Sequence, residues 1–191
     1  MRVTPAVLGL LLVLVPASMP LAEDDLAART TASQEAIKSL AGTLVGQLSL
    51  ALADGGPVAA IEVCNLVAPE IAHAESAARG WRVGRTSLKL RNPANAPDAW
   101  ELAVLRDFEA RKAAGADPKT LDHAEIVTDD GRRSFRYMKA IPTMEVCTTC
   151  HGASVAPDIA AQLDALYPED RARGYAVGDI RGAFTVVQPL D

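Results

Sequence analysis

Aromatic residues make up only 4% of the 191-residue chain, and no basic tract or basic stripe with interleaved aromatics occurs, so nucleic-acid binding is not an expected role. Internal repeats and low-complexity segments are absent as well, which excludes solenoids and arrays. The apolar stretch at residues 7–15 falls well short of the roughly 20 residues that cross a bilayer. Cysteine is scarce too. Three cysteines cannot all pair, and an unpaired thiol in an oxidising compartment calls for an explanation.

What is present begins with an export plan. Arg2, the apolar stretch and the small residues up to Ala22 read as a signal peptide over residues 1–22, which places the mature chain in the periplasm. An uncleaved anchor is the alternative, since Pro20 is a poor neighbour for a cut after Ala22. Cleavage takes one arginine and no acid from 19 basic and 24 acidic residues, leaving 18 against 24, a net charge of −6, and no expected membrane span. Residues 23–191 suffice for one domain with its own core.

Apolar residues at Leu26, Ile37, Ala41, Leu44, Leu48 and Leu52 recur at helical spacing and predict one long amphipathic helix over residues 24–53. Asp54-Gly55-Gly56-Pro57 should end it, a second helix should start near Pro57, Pro69 should bend or restart that helix, and Gly80 should close it. Residues 81–90 read as a strand and residues 92–97 as a loop, with Asp98 and Glu101 forming a capping pair for a helix that ends near Gly115. Two strands, 125–128 and 133–141, flank Asp129-Asp130-Gly131, a hairpin signal. A short helix over 159–166 and a final strand over 179–187 complete an α+β pattern.

Cys147-Thr148-Thr149-Cys150-His151 is a C-x-x-C-H sequence, the attachment pattern of c-type haem. Cysteines three positions apart can reach the two vinyl groups of one porphyrin, and the adjacent histidine then serves as an axial nitrogen ligand. The expected cofactor is therefore one covalent haem c. Bacterial thioether attachment takes place outside the cytoplasm, in accord with the signal peptide. A zinc site would need a second C-x-x-C or histidine pair, and a thioredoxin-like pair would need βαβ context; the chain offers neither.

Cys64 remains. Its helical neighbours Ile61, Val67, Ala68 and Ile71 are apolar, so it faces inward, either as a small core residue or as the second axial ligand. Met138 and Met144 are other ligand candidates, with Met144 also an expected haem contact; His73 sits about 180° around the helix from Cys64, and His123 reads as solvated loop. Arg91, Arg132, Arg133 and Arg136 suit haem propionates, or else ordinary surface charge.

Ile61-Glu62-Val63-Cys64-Asn65, Arg91-Asn92-Pro93-Ala94-Asn95-Ala96-Pro97-Asp98, Cys147 to Gly152, and Tyr167-Pro168 with Gly174-Tyr175 and Gly178-Asp179-Ile180-Arg181-Gly182 resemble the PAS-like c-type haem family, a domain of unknown function. Its members occur as exported proteins and as sensory parts of histidine kinases and chemoreceptors. The resemblance implies a PAS-like antiparallel sheet flanked by helices, and His/Cys axial ligation, here by His151 and Cys64. Arg91 and Asn92 are expected haem contacts. With both axial positions filled no site is open to substrate, so the chain is not expected to be an enzyme; a peroxidase-like activity is the alternative, and it would need an open distal site. A periplasmic redox or diatomic-gas sensor, acting through a separate partner, is the first functional expectation; an electron-transfer cytochrome with a redox partner protein is the second.

Overall fold

The computed structural model describes residues 23–190; the export segment and Asp191 lie outside the described residues. Helix α1, Glu23–Glu62, runs through a break at Gly56, whose backbone (φ 69°, ψ −167°) lies in a region open to glycine, and Pro57 follows it without an N–H to donate. The expected stop is thus a kink. The chain then widens into a π turn, Val63–Val67, before helix α2, Ala68–Arg79, which ends on Gly80 in the left-handed conformation (φ 67°). Pro69 explains the π turn. It cannot donate to the carbonyl of Asn65 and its ring crowds that oxygen, so the preceding turn opens to an i→i+5 bond from the Ala68 N–H to the Val63 carbonyl.

Strand β1, Arg82–Thr86, is shorter than expected because Ser87 turns the chain: its hydroxyl accepts from the Lys89 N–H and donates to the Arg181 carbonyl. Asn92 caps the 3₁₀ turn Pro93–Asn95. Helix α3, Ala99–Ala113, opens on the complete Asp98/Glu101 capping box. Strands β2, Asp122–Asp129, and β3, Arg132–Pro142, pair across Asp130-Gly131, both at positive φ, which a two-residue hairpin with right-handed strand twist requires. His123, expected in a loop, lies on β2 instead and is half-buried there. Helices α4, Glu145–His151, and α5, Pro157–Leu166, precede strand β4, Ile180–Pro189.

The four strands form one antiparallel sheet in the order β1-β4-β3-β2. Alternation along the strands gives each face its own core. Val83, Phe135, Tyr137 and Val186 meet Ala36, Ile37 and Leu40 of α1 on one face. Met138, Ala140, Ile180 and Ala183 meet Val104, Leu105 and Phe108 of α3 on the other. A third cluster, Ile61, Ile159, Leu163 and Tyr167, seats α5 on the end of α1 and takes in Cys150.

The α+β fold with a long N-terminal helix is therefore as expected, but the helix is buried over less of its length than its periodicity implies. Ala36, Ile37, Leu40 and Leu44 pack, whereas Val45 and Leu50 are more than half exposed. By length and composition alone the helix counted from Asp25 to Arg79 could cross a membrane, with an 18-residue window of mean hydropathy 1.4 that is 11% buried. That property contrasts with the expectation of no span, yet the same helix lays one face on the sheet as a core helix does.

Gly182 on β4 marks a close approach: a Cβ there would collide with the Thr86 carbonyl oxygen. Gly182→Ala is expected to lower stability by roughly 1–3 kcal/mol through overpacking, read as a lower urea midpoint at unchanged slope.

Candidate functional site

Cys147 and Cys150 lie one turn apart on α4, both half-buried, with free thiols. The helix starts after Met144, which is 54% exposed at the N-cap and does not reach into the core. It ends at Gly152, where a Cβ would sit 2.5 Å from the Thr148 carbonyl oxygen. That close contact lets the following chain fold back: the Tyr175 N–H donates to the His151 carbonyl and the Gly174 N–H to that of Gly152. The segment between α5 and β4 thereby wraps the motif.

This wrapping fixes the histidine. His151 Nδ1 lies 2.7 Å from the Ala172 carbonyl oxygen, which can only accept, so Nδ1 carries the proton and Nε2 keeps its lone pair. Arg91 Nη1 stands 3.4 Å from Nε2, and Arg181 Nε lies against the ring, 3.2 Å from Nδ1 and 3.4 Å from Nε2. Burial foremost, then the charges of Arg181 and Arg91, push the imidazole pKa down to about 3, so the ring is neutral at physiological pH. Tyr175 meets its edge at 6.3 Å between ring centroids.

Arg91 ties the region together. Its Nη2 donates to the carbonyls of Cys150 (2.6 Å) and Ala172 (3.3 Å), and its Nε pairs with Asp170 (3.2 Å); the two side chains are 8% and 2% exposed. Asp170 also accepts from the Ala172 N–H and from Arg173. Burial alone would raise the Asp170 carboxyl, but Arg91, the Ala172 amide and Arg173 hold it below the usual carboxylate range. Arg181 Nη1 donates to the Ser87 hydroxyl and the Lys89 carbonyl.

Cys64 sits in the π turn, half-buried, and π turns inside helices are frequent at functional sites. Burial raises its thiol pKa, while Arg85, Arg91 and Arg181 pull it down. Cys64 in turn raises the Cys150 thiol. The imidazole and both thiols are thus within electrostatic reach of Arg91. Asn65 Nδ2 fastens the π turn to the Leu166 carbonyl. A cavity of about 170 Å³ beside the turn is lined by Asn65, Arg91, Asn92, Tyr167 and Glu169.

Of the candidates read from the sequence, Cys64, Arg91, Asn92, Cys147, Cys150 and His151 come together here. Met138 does not: it is fully buried against α3 on the opposite face of the sheet. Arg132 and Arg133 lie at the hairpin end of β3, some ten residues or about 30 Å of strand from α4. Arg136 is engaged by Asp98 (2.6 Å) and Glu101 on the α3 side. His73 is exposed on α2. Sequence reasoning missed Arg85, Asp170, Ala172 and Arg181. Only Arg181 had a signal, its place within Gly178-Asp179-Ile180-Arg181-Gly182.

Residues 17–189 match the Tll0287-like family model. The chain belongs to the Tll0287-like family. Among solved structures it resembles the crystal structure of the cyanobacterial heme-protein Tll0287, with TM-score 0.63 and 26% identity over 90% of this chain and 98% of that one. No curated protein matches the chain. Membership in the Tll0287-like family thus rests on nearly the whole described chain, both layers around the sheet included, and not on the C-x-x-C-H motif alone.

Proposed function

We propose that this chain holds one haem c through thioethers to Cys147 and Cys150, with His151 and Cys64 as axial ligands, and works in the periplasm as a redox or diatomic-gas sensor. The carrying observation is the 2.7 Å approach of His151 Nδ1 to the Ala172 carbonyl oxygen, which assigns the proton to Nδ1 and leaves the lone pair on Nε2, faced here by Arg91 and Arg181, for coordination. The donor set suits the group: two half-buried thiols one turn apart, a neutral imidazole next to them, and a third thiol facing the same arginines. The name of the similar cyanobacterial heme-protein, and the PAS-like family resemblance, support the same reading.

When bound, the haem supplies a one-electron Fe(III)/Fe(II) couple. Arg91 and Asp170 hold the motif and its wrapping segment in place, and Ala172 orients the imidazole. Cys64, as thiolate, would favour the ferric state by its charge, and it stands in the π turn that joins α1 to α2. The sensor reading is by analogy of fold. Electron carriage is the second reading, favoured by the exposed apolar side chains Met144, Val146 and Val177, the first two on or beside α4, which offer a docking rim for a redox partner protein.

Protein made with a complete cytochrome maturation system should gain the mass of one haem and show a Soret band, and Cys147→Ala/Cys150→Ala should show neither. An unchanged mass in the wild type refutes the reading. Reduced protein that binds CO supports the sensor; reduced protein that ignores CO and exchanges electrons rapidly with a periplasmic cytochrome supports the carrier.

A further inference from the structure

We propose that Arg181, with Lys89 beside it, holds propionate carboxylate of the haem, an assignment that deepens the haem reading and rests on it.

Both cations stand on the ring of Tyr175, the residue that meets the edge of His151: Arg181 Cζ lies 5.4 Å and Lys89 Nζ 4.9 Å from the ring centroid. Neither enters an ion pair among the described residues. Arg181 Nη1 donates to the Ser87 hydroxyl (3.0 Å) and the Lys89 carbonyl (3.3 Å), and Lys89 Nζ donates to the Arg173 carbonyl (3.3 Å), all neutral acceptors. The acids close by are taken, Asp170 by Arg91 and Arg173, and Asp179 by Lys112. In a chain of net charge −5, positive charge without a partner is thus gathered around the imidazole. Like charges held this close repel, and an anion offsets them.

The hydrogen bonds at His151 show which cation needs that anion. Nδ1 gives its proton to the Ala172 carbonyl, so Nε2 offers the ring's one lone pair, and Arg91 Nη1 and Arg181 Nε both face it at 3.4 Å. Coordination through Nε2 would remove this acceptor from both. Arg91 would keep Asp170 and the carbonyls of Cys150 and Ala172. Arg181 would keep only Ser87 and the Lys89 carbonyl, so its Nε–H requires a new acceptor. A carboxylate matches a guanidinium fork, and haem brings two. Ser87 follows β1 and Arg181 opens β4, so the pair lies at one end of the sheet; Lys89 is exposed there and Arg181 half-buried, a setting that suits carboxylates at the rim of an enclosed macrocycle.

A propionate paired with a guanidinium stays ionised, and one released from it takes up protons at higher pH. In holoprotein, Arg181→Gln should therefore make the reduction potential more dependent on pH. Between pH 8 and pH 5 the reduced-to-oxidised ratio at a fixed potential should rise about tenfold more than in wild type, or about 59 mV for one electron. Arg181→Lys should stay near wild type, and the electron paramagnetic resonance spectrum should be the same in all three. If Arg181→Gln does not accumulate with haem, Lys89→Gln carries the test, since Lys89 is exposed; a smaller shift of the same sign is expected.

An Arg181→Gln holoprotein with the wild-type pH dependence overturns the assignment, as does a Lys89→Gln holoprotein with that dependence where Lys89→Gln carries the test. A holoprotein crystal structure with both propionates beyond hydrogen-bonding distance of Arg181 and Lys89 overturns it too. Wild-type protein without a Soret band overturns the haem reading instead, and that failure is visible before any potential is measured.

Discussion

Arg91→Leu should cost the apoprotein about 3–5 kcal/mol of stability, because it leaves Asp170 as a buried carboxylate without its main partner and frees the carbonyls of Cys150 and Ala172. Urea unfolding of the cysteine-free apoprotein isolates the effect from haem. Asp170→Leu in the same chain should recover part of the loss, since a matched apolar pair carries no stranded charge; full additivity of the two changes would argue against coupling. The pH dependence has a definite sign. The folded Asp170 carboxyl sits below its ordinary value, so it contributes stability above the unfolded carboxylate range and loses it as pH falls through the lower folded value. In Arg91→Leu that acid-side loss should shrink and move to higher pH.

The elements that local chemistry dictates were readable from the chain alone. Gly80, Asp130-Gly131 and the Asp98/Glu101 box each do locally what their residue types allow, and the structure places a helix end, a hairpin and a helix start there. Gly56-Pro57 was legible as an interruption, though as a kink within a continuing helix and not as a stop. The π turn was less so: the proline that causes it was noted as a bend, but the widening falls upstream, on Cys64 itself.

Site legibility followed sequence distance. The haem motif is contiguous, so residue type and spacing define it. The groups that condition it arrive from far along the chain: Arg85 from β1, Asp170 and Ala172 from the segment after α5, and Arg181 from β4. An arginine on a short strand looks like surface charge until the sheet order shows which face it occupies. The same applies to Arg132, Arg133 and Arg136, which composition offered as anion partners and topology removes.

Cys64→Ala separates the roles that burial alone leaves open. In the apoprotein the change should be mild, because a half-buried thiol gives way to a better helix former at a site without hydrogen bonds to lose. In the holoprotein it should be large. Loss of the thiolate should abolish the low-spin ferric signature and raise the potential by at least ~59 mV, a tenfold change in the one-electron ratio. Haem should stay attached, since Cys147 and Cys150 are intact. A Cys64→Ala holoprotein with the wild-type spectrum and potential would return Cys64 to the core. If the ferric variant instead binds cyanide or imidazole that the ferric wild type excludes, Cys64 is the group that closes the site, as the sensor reading requires, and the kink at Gly56-Pro57 marks where motion of the π turn would enter the long helix.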